Sequence, residues 1–247
     1  MVKWLVVKCW SGKVSESSKQ MAFRLGARLA YRPDNFVLHS GVQEVVRISL
    51  EKLGTPGFFS LFVRGDKRSG KTHLSVFLSG ILAKNQVYPA LVEGAHFSAV
   101  MNEFVDGAEF AGSPVIVDDA ELYFKQVVPG TSGQFVSFME KMKVAGRSVL
   151  FISGSDLKEF PCDEHVLSRL KAASIHQMVA PAAEEMELLL RNMAEQRGIR
   201  LTERKRQFLM KRLARSPNEI ESYFERLEEL LVSGARAVGF EVLEDAL

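Results

Sequence analysis

Eight consecutive residues, Gly65-Asp66-Lys67-Arg68-Ser69-Gly70-Lys71-Thr72, match the phosphate-binding pattern G-x-x-x-x-G-K-[ST] at every fixed position. Glycines let the backbone curl so that its N–H groups point at phosphate oxygens, and the start of a following helix adds partial positive charge. In this pattern Lys71 binds the β- and γ-phosphates, and the Thr72 hydroxyl binds Mg²⁺. A chance match in a chain of this composition is expected about 0.01 times, so the octapeptide predicts a nucleotide site.

A candidate metal contact follows an apolar run at 115–117, which ends in Asp118 and Asp119. Proteins with this loop hold Mg²⁺ between the loop hydroxyl and a carboxylate at the end of another strand. Asp118 is therefore predicted to hold the metal, and Asp119 is predicted to position or polarise the attacking water. The alternative is that these aspartates cap a helix that begins at Ala120, which is a common role for aspartate.

Both motifs lie in a regular alternation of apolar runs and helical patterns. The apolar runs predict strands over 58–63, 88–92, 115–117, 149–152 and 175–179. The helical patterns cover 42–53, 70–82, 97–104, 134–144 and 166–172. Strands that alternate with helices predict a parallel sheet covered on both faces. The expected fold class is α/β, with a parallel-sheet P-loop domain sandwiched by helices and followed by a small all-helical domain.

Charge and pattern divide the chain into three predicted parts. Residues 1–34 contain seven basic and two acidic residues and are expected to form a basic leader. Residues 35–180 hold the alternating pattern and are predicted to form the P-loop nucleotide-binding domain. Residues 181–247 read as successive helices and are predicted to form a helical lid domain.

Composition excludes several classes of protein. The 247 residues are 47% hydrophobic and 25% charged, which is ordinary for a globular chain and excludes a disordered or disulfide-stapled protein. The net charge of +2 does not indicate a strong nucleic-acid binder. Two distant cysteines and the lack of a long apolar stretch predict a reduced, cytoplasmic protein without a membrane partner.

Further motifs, in order along the chain, resemble the AAA+ ATPase family and, within it, the DnaA-related regulators of the Hda type. Residues 20–25 resemble the hexapeptide by which that group binds the sliding clamp, and residues 31–36 resemble the start of its AAA+ domain. Residues 167–170 look like its arginine-finger motif. Residues 196–201 and 220–224 look like its helical lid, so the resemblance covers nearly the whole chain after residue 19.

The resemblance implies site residues outside the loop. Arg169 would be an arginine finger that reaches a nucleotide held by a neighbouring protomer, and a surface salt bridge is the ordinary alternative. Ser153 or Ser155 would be the polar residue that faces the γ-phosphate after the fourth strand. The alternative for both serines is a turn over 153–155.

The lid position that usually carries a nucleotide-sensing arginine falls on Asn218, and the nearby Arg215 is a possible substitute. Ser216 and Pro217 alternatively begin a helix as its cap and first residue. The predicted cofactor-binding set is Gly65, Lys67, Arg68, Ser69, Gly70, Lys71, Thr72, His73, Asp118, Ser153 and Asn218. The predicted clamp-binding set is Gln20, Met21, Phe23 and Leu25, and the alternative is that this segment packs on the protein's own core.

The function implied by the resemblance is that of a nucleotide switch that regulates the initiation of chromosome replication. It would bind ATP or ADP with Mg²⁺, bind the sliding clamp of DNA polymerase III and stimulate hydrolysis of the ATP bound to the DnaA initiator. Its own ATPase activity would be weak. DNA contact would be indirect through the clamp, and a homo-oligomer is compatible with this role. The alternative is a helicase-loader ATPase of the DnaC or IstB type.

A basic patch in the last third of the chain allows two interpretations. It either contacts DNA phosphates or an acidic partner, or it is a solvated surface paired with the acidic segment 219–229. Because the sequence stops after a short acidic stretch, 241–247, origin recognition by this chain alone is not expected. The patch consists of Arg197, Arg200, Arg204, Lys205, Arg206, Lys211, Arg212 and Arg215.

Overall fold

The computed structural model describes residues 31–105, 113–214, 216–232 and 238–247. The clamp-binding-like hexapeptide at 20–25 and the substitute lid residue Arg215 lie outside the described residues. Both therefore stay predictions from the sequence.

The described residues contain a five-stranded sheet in which the paired strands run parallel. Its strands are β1 (Ser60–Arg64), β2 (Ala90–Glu93), β3 (Val115–Asp118), β4 (Val149–Ser153) and β5 (Ser174–Gln177). Their spatial order is β2-β3-β4-β1-β5, so the phosphate-loop motif follows a strand with neighbours on both sides. Phe62 of β1 pairs with Phe151 of β4 and Ile175 of β5. All five strands predicted from the apolar runs are confirmed.

Six helices precede or follow these strands within the described part of the sheet domain. They are α1 (Ser40–Gly54), α2 (Lys71–Lys84), α3 (Phe97–Val105), α4 (Glu121–Phe124), α5 (Gly133–Val144) and α6 (Glu164–Lys171). Three one-turn 3₁₀ helices lie at Pro33–Asn35, Gly94–His96 and Leu157–Glu159. The five helical patterns of the sequence are confirmed, whereas α4 was too short to show a periodicity.

The helices cover both faces of the sheet, and each face has its own apolar cluster. Leu61 and Val63 of β1 point to the face covered by α1 and α2, where Leu74 and Leu78 are fully buried. Phe62 points to the opposite face, which α3 to α6 cover. This alternation is the period of two expected of a strand, and burial on both faces explains why the strands read as continuous apolar runs. The predicted α/β fold class is confirmed.

The C-terminal helices pack around an apolar cluster of their own. They are α7 (Met186–Gln196), α8 (Glu203–Met210), α9 (Pro217–Val232) and α10 (Phe240–Asp245). Leu190, Tyr223 and Leu243 are fully buried in this cluster, which shares no member with the two sheet clusters. The structure thus contains the expected helical region after the sheet, and its role as a lid stays a prediction.

Local contacts bear on two of the open alternatives in this region. The Glu219 N–H donates to Ser216 Oγ at 3.2 Å, and Pro217 is the first residue of α9, so Ser216 and Pro217 do begin a helix. Arg197 lies 3.3 Å from Glu228 of α9, so one member of the basic patch is paired with the acidic helix. In the described ranges, no helix has the length and apolar character needed to cross a bilayer.

Candidate phosphate-binding site

The phosphate-loop motif begins at the carboxyl end of β1 and is anchored to both neighbouring strands. The Gly65 N–H donates to Ser153 O at the end of β4 (3.0 Å). On the other side, the Met178 N–H donates to Arg64 O (2.7 Å) just after β5. The loop therefore rises from the carboxyl edge of the sheet, which is where open parallel sheets bind their ligands.

The loop curls tightly and leads directly into α2. A Cβ atom added to Gly65 would lie 2.5 Å from Ser69 Oγ and 3.1 Å from Lys71 Cγ, so only glycine fits there. Gly70 has a φ of +88°, a left-handed conformation that glycine adopts without strain. No side chain caps the start of α2, so its first N–H groups face the curl of the loop. This is the arrangement that favours an anion.

Lys71 lies beneath this curl. Its side chain is 9% exposed, and Nζ donates to Gly65 O (3.2 Å) and Asp66 O (3.0 Å). The ammonium group is thus held by neutral carbonyls of the same loop. A phosphate oxygen is a stronger acceptor for it, because charge-assisted hydrogen bonds are about twice as strong as neutral ones.

Asp118 lies at the end of β3, within hydrogen-bond reach of the start of α2. Burial raises the pKa of its carboxyl group, and hydrogen bonds from the side chains of Thr72 and Ser75 oppose that shift. Its Oδ1 atom is buried and has no hydrogen-bond partner among the residues that the structure describes. A buried carboxylate oxygen beside a threonine hydroxyl is the donor set that Mg²⁺ prefers, so the residues present fit the predicted metal.

Asp119 holds a strained backbone position next to Asp118. Its φ of +46° is unusual for a residue with a side chain, and such positions concentrate at functional sites. Gly94 packs directly against the Asp119 carbonyl, where a Cβ atom would collide, and the following N–H of Ala120 donates to Ile152 O (2.9 Å). The N-cap residue of α4 is Ala120, which makes no side-chain cap, and the Leu122 N–H donates to the Asp119 carbonyl (2.9 Å).

The pKa of the Asp119 carboxyl group is raised. Burial is the largest cause, the charge of Glu121 adds to the shift, and Lys71 opposes it. A raised pKa makes a carboxylate a better proton acceptor near neutral pH. The position of Asp119 therefore agrees with a role toward a water molecule, which stays a prediction.

Glu121 belongs to this cluster and was missed from the sequence. Its Oε1 accepts the Gly154 N–H (2.9 Å), whereas Oε2 is buried and has no hydrogen-bond partner in the described part of the chain. A Cβ atom on Gly154 would lie 2.7 Å from Glu121 Oε1 and 3.4 Å from Lys71 Nζ, so the three residues converge. The signal available was a third carboxylate, three residues after Asp118, which a helix start places on the same side.

The serines after β4 make a turn of their own. Ser153 is fully buried, its Oγ donates to Ser155 O (3.1 Å), and it accepts the Ser155 N–H (3.0 Å). The turn over 153–155 is thus present. Whether either hydroxyl faces a γ-phosphate stays a prediction.

Three further members of the predicted set are spread around the loop. His73 Nε2 contacts Arg32 O (3.1 Å) and Asn35 Oδ1 (2.6 Å), so its ring faces the 3₁₀ helix at 33–35. Burial lowers the pKa of the His73 ring. Lys67 is exposed, and Asn218 is exposed on α9. Their contact with a cofactor stays a prediction.

Arg169 lies at the opposite edge of the sheet. It is on α6, which leads into β5, and β5 starts at Ser174 beside Leu61 near the beginning of β1. Its guanidinium pairs with Glu140 (3.1 Å) and donates to His165 O (3.0 Å), so the expected salt bridge is present. Arg169 also lines a cavity of about 390 Å³ with Phe59. Arg169 therefore lies at the edge opposite the phosphate loop, and its contact with a nucleotide of a neighbouring protomer stays a prediction.

Comparison with known proteins begins with sequence. No family model matches the chain. An uncharacterized protein of Haemophilus influenzae is 28% identical over 176 residues, which cover 68% of this chain and 71% of that protein.

Solved structures show the fold. Domain III of the replication initiation protein DnaA from Thermotoga maritima matches with a TM-score of 0.70 at 17% identity, over 88% of this chain and 95% of that chain. AMPPCP-bound DnaA from Aquifex aeolicus matches at 0.63 and 19%, over 87% and 67%. The RuvB Holliday junction branch migration motor of T. maritima matches at 0.60 and 14%, over 87% and 70%. The chain therefore has the α/β fold that these DnaA and RuvB structures share.

Proposed function

We propose that the protein is a nucleotide-binding AAA+ ATPase that takes ATP or ADP with Mg²⁺ at the carboxyl edge of its sheet. The observation that carries this proposal is the convergence of Lys71, Thr72 and Asp118 at a curled loop that opens a helix. The DnaA structure of similar fold that contains AMPPCP supports a nucleotide ligand.

Each residue has a part in this proposal. The N–H groups at the start of α2 bind phosphate oxygens, and Lys71 exchanges its loop carbonyls for them. Thr72 and Asp118 hold Mg²⁺, which supplies charge neutralisation on the phosphates when bound. Asp119 accepts a proton at its carboxylate from the attacking water. Its raised pKa suits that step.

The finer role rests on the resemblance to Hda-type regulators. In this proposal the chain binds the sliding clamp through Gln20, Met21, Phe23 and Leu25 and acts in the cytoplasm on the DnaA initiator. Arg169 completes a hydrolytic site on DnaA-bound ATP. Its position at the edge opposite the loop supports action on a neighbour's nucleotide rather than its own.

Direct nucleotide binding tests the first part. Isothermal titration with ADP and ATP, with and without Mg²⁺, is expected to show saturable binding that Mg²⁺ tightens. Lys71→Ala is expected to weaken binding about 10- to 100-fold, because it removes a charge-assisted bond to phosphate. Lys84→Ala is the matched control, since Lys84 is an exposed lysine in the last turn of the same helix, α2. Absence of binding by the wild type would refute the proposal.

Two further assays test the regulatory part. Clamp binding is compared between the wild type and a Gln20→Ala, Leu25→Ala double variant, which is expected to lose it. Stimulation of DnaA ATP hydrolysis is then compared between Arg169→Ala and Lys171→Ala, a basic neighbour on the same helix. Nucleotide binding without any clamp binding would favour the helicase-loader alternative.

A further inference from the structure

The Arg68 side chain leaves the phosphate loop and reaches the C-terminal helices. Its Nη1 atom donates to Ser222 Oγ of α9 at 2.8 Å, and its Nη2 atom lies 3.8 Å from Glu225 Oε2. The Arg68 side chain is 36% exposed and the Glu225 side chain is 53% exposed. One side chain therefore joins the loop that would hold phosphate to the helix that follows it by about 150 residues in sequence.

The backbone at Arg68 is also unusual. Its φ of +61° is a left-handed conformation that costs a residue with a Cβ atom free energy and persists only where surrounding contacts hold it. The bonds to α9 hold the side chain outward, and the Ser69 N–H closes the loop onto Asp66 O (3.2 Å). The conformation of the loop and the position of α9 are thus linked at one residue.

The Ser222 acceptor on α9 lies on the same face of the helix as Asn218. Ser222 follows Asn218 by four residues, so the two side chains share one face of the helix. Asn218 is the position where the resemblance expects an arginine that senses the nucleotide. In this chain Arg68 of the phosphate loop contacts that face of α9 instead.

We infer that Arg68 is the positioning residue through which a nucleotide at the loop controls α9, an inference that rests on the proposed nucleotide site. Without nucleotide, Arg68 binds Ser222 and Glu225 and holds α9 against the loop. Phosphate oxygens compete for the same guanidinium, because arginine binds phosphate with two parallel hydrogen bonds. The ion pair between Arg68 and Glu225 is long and partly exposed, and therefore weak. Phosphate oxygens replace Glu225 as the partner of the Arg68 guanidinium, and α9 is released.

This competition predicts that replacing the acceptors on α9 and replacing Arg68 change the affinity for ADP in opposite directions. Replacing an acceptor, by Ser222→Ala or Glu225→Gln, leaves Arg68 available to phosphate and is expected to tighten ADP binding about two- to five-fold, the range of one partly exposed ionic contact. Arg68→Ala is expected to weaken ADP binding by a similar factor. Arg68→Lys keeps the charge but not the two parallel donors, and it is expected to fall between Arg68→Ala and the wild type.

Hydrogen exchange of the α9 amides, with and without saturating ADP, reports the coupling directly. We expect ADP to speed exchange over 217–232 in the wild type. In Arg68→Ala, exchange there is expected to be fast already and to be unchanged by ADP. Arg47→Ala, which removes an exposed arginine that pairs with Glu44 on α1, is the matched control and is expected to behave as the wild type.

Two results would overturn the inference while leaving the nucleotide site intact. One is an Arg68→Ala protein whose α9 exchange still responds to ADP as in the wild type. The other is weaker ADP binding in Ser222→Ala and Glu225→Gln. A wild type that binds neither ADP nor ATP would overturn the proposed function itself, and the coupling with it.

Discussion

The carboxyl and amino edges of the sheet differ in whether their charged groups have partners within the chain. At the carboxyl edge, Asp118 and Glu121 each have a buried carboxylate oxygen that no described residue contacts by a hydrogen bond, and burial raises the pKa of Asp118. At the amino edge two cations are paired: Arg169 binds Glu140, and Lys52 lies 2.8 Å from Glu51 and 4.6 Å from the centre of the Phe59 ring.

The carboxyl edge thus contains buried charged atoms without partners among the described residues, as expected of a ligand site. The named cations of the amino edge already have partners within the chain. Burying a carboxylate without full compensation is unfavourable, so the carboxyl edge lowers the stability of the ligand-free fold. In the proposed function, Mg²⁺ would be the missing partner of the Asp118 carboxylate. At the amino edge Arg169 is already paired with Glu140, so another acceptor must compete with Glu140 before Arg169 is free.

The largest expected effect comes from Asp118→Asn, which removes the buried charge. We expect the tightening of ADP binding by Mg²⁺ to fall about 10- to 100-fold, because a charged ligand of the metal is lost. Asp66→Asn, which changes a carboxylate of the loop outside the predicted metal contact, is the control for titrations with and without Mg²⁺. Equal responses of the two variants would contradict the assignment of the metal to Asp118.

The same variant should become more stable when no ligand is present. The pKa of Asp118 is raised above 3.8 in the folded protein, so folding favours its protonated form. Wild-type stability is therefore lost as the pH rises through that raised pKa, and the asparagine does not titrate. We expect the melting temperature of Asp118→Asn to exceed that of the wild type at pH 7, with the gap closing toward acid pH. A gap that is constant with pH would contradict this explanation.

Gly94→Ala tests how the strained Asp119 is held. The new methyl group collides with the Asp119 carbonyl, and we expect a loss of about 1–3 kcal/mol in unfolding free energy, as for other overpacked sites. Denaturant titration measures it. Gly133→Ala is the control, because a Cβ atom there meets no atom within 4 Å at the start of α5. Equal stability of Gly94→Ala and the wild type would show that the backbone shifts without cost.

Glu121→Gln is expected to change the pH dependence of ATP hydrolysis more than its rate. The amide oxygen still accepts the Gly154 N–H, but the charge that helps to raise the pKa of Asp119 is gone. Asp119 must be ionised to accept a proton, so the acid limb of the pH profile should move to lower pH. Glu93→Gln should move it less, since Glu93 contributes the smallest of the causes. The reverse order would contradict the role of Asp119.

Sequence patterns predicted the features that depend on neighbours along the chain. The five strands follow from continuous apolar runs, and Lys71 and Thr72 follow from a motif that specifies one local backbone path. The features that were missed depend on residues distant in sequence. Glu121 matters because a turn after β4 reaches it, and Arg68 because its side chain crosses to α9. No periodicity or spacing encodes where a long side chain ends after folding.

The smallest expected effect on stability tests the amino edge. Glu140→Gln weakens one partly exposed ion pair with Arg169, and we expect a loss of about 0.2–1 kcal/mol or less. Its effect on function should be larger, because an unpaired guanidinium is available to a neighbour's phosphates. We therefore expect stimulation of DnaA ATP hydrolysis to rise, whereas Glu164→Gln, which loosens the pair with Lys171 on the same helix, should leave it unchanged. If Glu140→Gln and Glu164→Gln stimulate DnaA ATP hydrolysis equally, Glu140 does not restrain Arg169. The contrast between the two edges of the sheet would then have no consequence for function.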